Sequence, residues 1–68
     1  MSPKARFERR LRTLRRQRRL SQATLAARVG ITQPYVSLLE AGRKPNPSLA
    51  VIRRLAQVLS VRVSALLD

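Results

Sequence analysis

Gln33 carries a hydrogen-bond acceptor and a donor on one planar amide, and Pro34, Ser37 and Leu38 follow it closely in the chain. An amide of that kind matches the N6–H and N7 pair of an adenine, and leucine or proline suits the methyl group of a thymine. Gln22 and Tyr35 nearby, with Arg43, Lys44 and Asn46 beyond, are side chains of the types that meet phosphate oxygens. Such contacts need one rigid element to hold the four first-named side chains together on an open face.

The stretch from Gln22 to Leu39 supplies that element. Ala26 is small where a second helix must cross the first, Gly30 suits a left-handed turn, and Ile31 plugs the junction. Val36 and Leu39, three apart, turn one side of the second helix inward. Gln33, Pro34, Ser37 and Leu38 then project from its other side. The pattern predicts a helix-turn-helix whose second helix is free to enter a DNA major groove. The alternatives are bland ones: a helical hairpin with no DNA role, a solvated Gln33, Gln22 or 43–46 loop, a Tyr35 that mostly packs, and Leu38 as a core or dimer contact.

Signals at the helix ends complete the architecture. Ser2 and Pro3 open a first helix in which Phe7, Leu11 and Leu14 form one apolar stripe among arginines. Arg18 continues the stripe, with its stem expected to pack and its head to reach water. The helix stops near Arg19 and Leu20, and Ser21 caps a second helix over Gln22–Val29. Thr32 caps a third over Gln33–Ala41, with Pro34 in the tolerant first turn and Gly42 at the end. Asn46 or Ser48 caps a fourth that runs to about Leu59, with Leu49, Ile52, Leu55, Ala56 and Leu59 inward. Val63–Leu67 makes a short fifth. The fold class is all-α: five helices, no strand, one domain over residues 1–68.

The 68 residues carry 15 Lys plus Arg against 3 acids, a formal charge of +12, and no Cys or His. Thirteen of the fifteen are Arg, and nine basic residues lie between Lys4 and Arg19. That field attracts polyanions, although a GC-rich genome produces the same bias without function. Cys/His metal sites are excluded, and no cofactor is called for. Glu8, Glu40 and Asp68 do not cluster as an acid/base pair would, which argues against an enzyme. No run approaches a membrane span, and an Arg-rich transit peptide is set aside because Phe7, Leu11 and Leu14 are needed as core. A cytoplasmic, nucleoid-associated protein is expected.

Arg15 flanks the apolar stripe and Glu40 follows Leu39, so the two are expected to form a partly buried ion pair between helices 1 and 3. Val51, Leu55 and Val58, continued by Val61, Val63 and Leu66, make a second apolar row that either joins two copies or covers helix 5. A dimer would set two recognition helices about 34 Å apart and demand a near-palindromic site.

Leu14-Arg15, Leu20-Ser21-Gln22, Leu25-Ala26, Val29-Gly30-Ile31, Gln33, Tyr35-Val36-Ser37, Leu39-Glu40, Gly42-Arg43 and Asn46-Pro47-Ser48-Leu49 resemble the lambda-repressor-like, or xenobiotic-response-element, helix-turn-helix family. The resemblance spans about Phe7 to Leu67. It implies five helices, a dimer on a palindromic operator, and control of transcription. It also implies a phosphate clamp at Gln22, base reading at Gln33, Pro34 and Leu38, and an ion pair between Arg15 and Glu40. Arg19 stands where the family often has Gly, which implies strain at the end of helix 1. Leu38 replaces a frequently polar reader, and Ala41 lacks a common polar side chain. Three roles stay open: a sequence-specific regulator of double-stranded DNA, an antitoxin that neutralises a protein partner, and a charge-driven binder of nucleic acid or membrane.

Overall fold

The computed structural model describes residues 3–43 and 47–67. Ser2, Lys44, Asn46 and Asp68, named above as a cap, phosphate ligands and an acid, lie outside the described residues. Five helices follow in order: α1 Pro3–Gln17, α2 Gln22–Val29, α3 Gln33–Ala41, α4 Leu49–Val58 and α5 Val63–Leu67. No strand occurs among the described residues.

The starts of α2, α3 and α4 share one device. Ser21, Thr32 and Ser48 sit in extended backbone, and each side-chain oxygen accepts from the amide three residues on: Thr24 at 3.0 Å, Tyr35 at 3.2 Å and Val51 at 3.1 Å. Each such cap is worth about 1 kcal/mol to its helix. The ends of α1 to α4 share another. A residue with positive φ follows each helix: Arg19 at 57°, Gly30 at 86°, Gly42 at 74° and Ser60 at 57°. The next amide then reaches five residues back, from Leu20 to Arg15, Ile31 to Ala26, Arg43 to Leu38 and Val61 to Ala56. This Schellman closure satisfies carbonyls that the helix leaves open. Arg19 therefore takes the left-handed conformation that its place in the family pattern implied. Ser60 is a second such residue, with no signal in its type.

The core joins Phe7 and Leu11 of α1 to Leu25, Ala26 and Val29 of α2, Val36 and Leu39 of α3, Ile52, Leu55, Ala56 and Leu59, and Leu66 of α5. α1 packs on α3 and α5, α2 on α3 and α4, and α4 on α5. Ala26 is 2% exposed at the crossing of α2 and α3, where a larger side chain would hold the helices apart. Ile31 is half-buried against the same core.

Two expectations change. Leu49 is 53% exposed and not inward, because it opens α4 a turn before the core begins at Ile52. Leu55 and Leu66, placed above on a dimer face, are fully buried within the protomer. Both fill the seam where α5 closes on α4, so neither is available to a second copy. Val51, Val58, Val61 and Val63 remain half-buried at the rim of the core. Arg18 is exposed, as expected of its head, while its Nε donates to the carbonyl of Leu59 at 2.9 Å.

Candidate nucleic-acid interface

The side of α3 that packs against the core determines what the other side presents. Val36, Leu39 and Glu40 are buried, while Gln33, Pro34 and Leu38 are exposed and Ser37 is half-buried. Leu38 is 38% exposed, so its apolar side chain is open to contact on this face. Tyr35 is half-buried and packs against the core edge. Arg43 is exposed immediately after the turn that ends α3.

Behind this face lies a buried charge. Glu40 is 4% exposed, and Arg15 grips it with two bonds: Nε to Oε2 at 2.6 Å and Nη2 to Oε1 at 3.0 Å. The remaining terminal nitrogen of Arg15 donates to the Leu20 carbonyl at 2.9 Å. The hydrogen bond with Glu40 raises the Arg15 pKa further, outweighing the opposing effect of burial. Arg12 adds a bond from Nη2 to the Glu40 backbone carbonyl at 2.9 Å, so α1 holds both the side chain and the main chain at the end of α3.

From Glu40 a line of hydrogen bonds runs outward to the open face. Gln22, at the first position of α2, donates from Nε2 to Glu40 Oε1 at 3.1 Å. Gln33, at the first position of α3, donates from Nε2 to Gln22 Oε1 at 2.8 Å. The expected phosphate clamp and the expected base reader therefore touch each other, and both are tied to the ion pair.

The arginines of α1 and of the turn that follows it divide in a way that composition does not reveal. Arg10, Arg12, Arg15 and Arg18 donate to backbone carbonyls at Ala65, Glu40, Leu20 and Leu59, each near the end of a helix. Positive charge at a helix C-terminus opposes the negative end of the helix dipole and fills its open acceptors. Four basic residues that looked like a field for polyanions thus fasten α1 to the rest of the fold. Arg9, Arg16 and Arg19 are exposed, and Arg12 and Arg18 are exposed as well although each donates one of these bonds. A signal was present in part: Arg15 and Arg18 flank or continue the apolar stripe, where a long side chain must end beside another helix.

Among the described residues no three His, Cys, Asp or Glu gather into a metal site, and no helix is long and apolar enough to cross a membrane.

Comparison with known proteins agrees with this fold. A family model described as a helix-turn-helix domain matches residues 6–67. The chain is 46% identical over 48 residues to the uncharacterized HTH-type transcriptional regulator y4dJ of Sinorhizobium fredii, covering 71% of this chain and 61% of that one. It is 43% identical over 61 residues to the uncharacterized HTH-type transcriptional regulator RghRB of Bacillus subtilis, covering 90% and 42%. The chain spans 26% to 61% of the length of the curated relatives it matches. Its fold superposes on the restriction-modification controller protein C.AhdI of Aeromonas hydrophila with a TM-score of 0.87 and 40% identity, covering 93% of this chain and 94% of that one.

Proposed function

The chain belongs to the helix-turn-helix family of the xenobiotic-response-element type, and we propose that it is a sequence-specific regulator that binds double-stranded DNA with α3 in the major groove. The observation that carries this reading is the division of α3 into a core side and an open side bearing Gln33, Pro34, Ser37 and Leu38. These four meet base edges. Gln22, Tyr35 and Arg43 hold the phosphate backbone on either side, joined by Lys44 and Asn46, which follow Arg43 in the sequence. The net charge of +12 speeds the encounter and makes affinity fall steeply with salt.

Two copies act together on a near-palindromic site. Half-buried Val51, Val58, Val61 and Val63 form an apolar rim suited to a two-fold contact. Among regulatory settings, control of a restriction-modification system draws support from the likeness to C.AhdI.

Selection of bound duplexes from a random library tests this. A motif with two-fold symmetry, bound about 10³-fold or more above unselected duplex, is the expected result. Equal affinity for every duplex would reduce the protein to a charge-driven binder. A single unsymmetrical half-site would remove the dimer. Val58→Asp, with the helical circular dichroism retained, is expected to halve the sedimentation mass and abolish preference for the paired site. Steady co-purification with one small protein, in place of DNA selectivity, would favour the antitoxin role.

A further inference from the structure

We propose that Arg10 and Arg18, by pinning α1 to the α4–α5 unit, set the half-site spacing that two copies accept, a reading that rests on the two-fold contact proposed above.

In a two-fold pair the valine rim meets the partner copy while α3 meets the base pairs. The distance between the two α3 helices is then only as firm as the hold of each rim on its own α3. Val51 and Val58 lie on α4, Val61 follows it, and Val63 opens α5, so the rim belongs to the α4–α5 unit. α3 packs on α1 and α2, α5 packs on α1, and α4 packs on α2. α1 and α2 are therefore the bridges between the rim and the reading helix.

The two bridges differ in kind. At α2 the link to α4 runs through the shared apolar core, Leu25, Ala26 and Val29 with Ile52, Leu55 and Ala56. Apolar contact is non-directional, so it opposes separation more than sliding. α1 adds hydrogen bonds, which are directional. Arg10 Nη1 donates to the Ala65 carbonyl at 3.1 Å, and Arg18 Nε to the Leu59 carbonyl at 2.9 Å, both partly buried. Leu59 and Ala65 bracket the segment that carries Val61 and Val63. The Arg18 amide donates to the Leu14 carbonyl at 3.1 Å, so the helical path continues as far as Arg18. Arg10 and Arg18 thus stand about 12 Å apart along that path. One bond would leave a hinge, whereas two at that separation keep the α4–α5 unit from swinging.

The hold on α3 comes from Arg12 and Arg15, which bond the Glu40 carbonyl and carboxylate. At about 100° per residue, the two pairs of arginines leave α1 on sides about 130° apart. α1 is a strut, with the rim segment bonded to one side and the end of α3 to the other. Arg10 and Arg18 are positioning residues, since they need touch neither DNA nor the partner copy.

The library-selected duplex is tested as it stands, and with one base pair added or removed at its centre of symmetry. One base pair shifts a half-site by about 3.4 Å and turns it by about a tenth of a turn. The unaltered protein is expected to lose about tenfold or more in affinity for either altered duplex. In Arg10→Met with Arg18→Met that loss should shrink severalfold. Base preferences inside each half-site and the sedimentation mass of the dimer should stay as they were. Arg9→Met with Arg16→Met removes the same charge from exposed positions outside these bonds and should keep the full loss. General weakening from lost charge cancels in the ratio between duplexes. Where the Arg10 and Arg18 double variant has lost its helical circular dichroism, Arg10→Met alone must show the smaller loss.

An undiminished loss in the folded Arg10 and Arg18 variants overturns the strut and leaves the two-copy reading standing. Equal relaxation in the Arg9 and Arg16 control overturns it as well. If the unaltered protein binds all three duplexes alike, the two-fold contact and the spacing role fall together.

Discussion

Arg15 and Glu40, 25 positions apart in sequence, face each other through two parallel hydrogen bonds that join α1 to the end of α3. With side chains 12% and 4% exposed, water screens the pair very little. Glu40→Ala would leave the Arg15 guanidinium buried without its anion, at a cost of about 3–5 kcal/mol. A domain of this size holds only about 3–10 kcal/mol in total. The expected result in urea titration is a protein near or past its unfolding midpoint at room temperature. Replacing both residues by apolar ones, Arg15→Met with Glu40→Leu, is expected to lose less than Glu40→Ala alone, because neither charge is then stranded. A midpoint unchanged by Glu40→Ala would show that the pair contributes nothing to stability.

Arg19 and Ser60 hold positive φ without being glycine, each at 57°. For an L-residue that conformation costs roughly 1–2 kcal/mol, and glycine escapes it at a smaller entropic cost. Arg19→Gly and Ser60→Gly should each raise the unfolding free energy by up to about 1 kcal/mol and add nearly independently, since they close different helices. Gly30→Ala, with φ 86°, should lower the unfolding free energy by about 1–2 kcal/mol. Stabilisation by Gly30→Ala would mean that the turn between α2 and α3 does not need its left-handed residue.

Arg18 and Arg43 carry the same charge and should answer to different measurements. Arg18 donates to the Leu59 carbonyl at 2.9 Å, and losing a charged donor to that acceptor costs about 1.5–3 kcal/mol. Arg18→Gln is therefore expected to lower the melting temperature by several degrees. Arg43 is exposed beyond α3, and Arg43→Gln should leave stability alone while the slope of log K against log salt falls by about 1. The opposite pattern, a stable Arg18→Gln with a reduced slope, would return Arg18 to the DNA-facing charge.

The division between these arginines marks where the amino-acid sequence stops being readable. Helix ends were legible because their chemistry is local: Ser21, Thr32 and Ser48 each bond an amide three residues away, and Gly30 and Gly42 make turns their neighbours cannot. The α3 face followed from Val36 and Leu39 in the same local way. By contrast, the Arg12 bond to the Glu40 carbonyl spans 28 residues, and that of Arg18 to Leu59 spans 41. Only the assembled bundle brings those carbonyls within reach. Leu55 and Leu66 were misplaced for a related reason, since an apolar row on α4 looks the same whether α5 or a second copy covers it. The bond from Gln33 to Gln22 spans 11 residues and likewise forms only when the starts of α2 and α3 meet, with Glu40 behind Gln22.

Leu38 supplies the last test, because its exposed apolar side chain has a specific use on α3. At 38% exposure it projects from the open face among polar neighbours and fills no void in the core. A thymine carries a methyl group in the major groove and uracil does not, yet their hydrogen-bonding groups are the same. Replacing single thymines by uracil in a selected duplex should therefore weaken binding at the position Leu38 touches, by several-fold for about one buried methyl. Leu38→Ala should abolish that difference at the same position and leave the others intact, with little change in the unfolding midpoint. If uracil substitution costs the same in the protein with and without Leu38, the side chain does not read thymine. A drop in stability of more than about 2 kcal/mol for Leu38→Ala would instead assign it to the core.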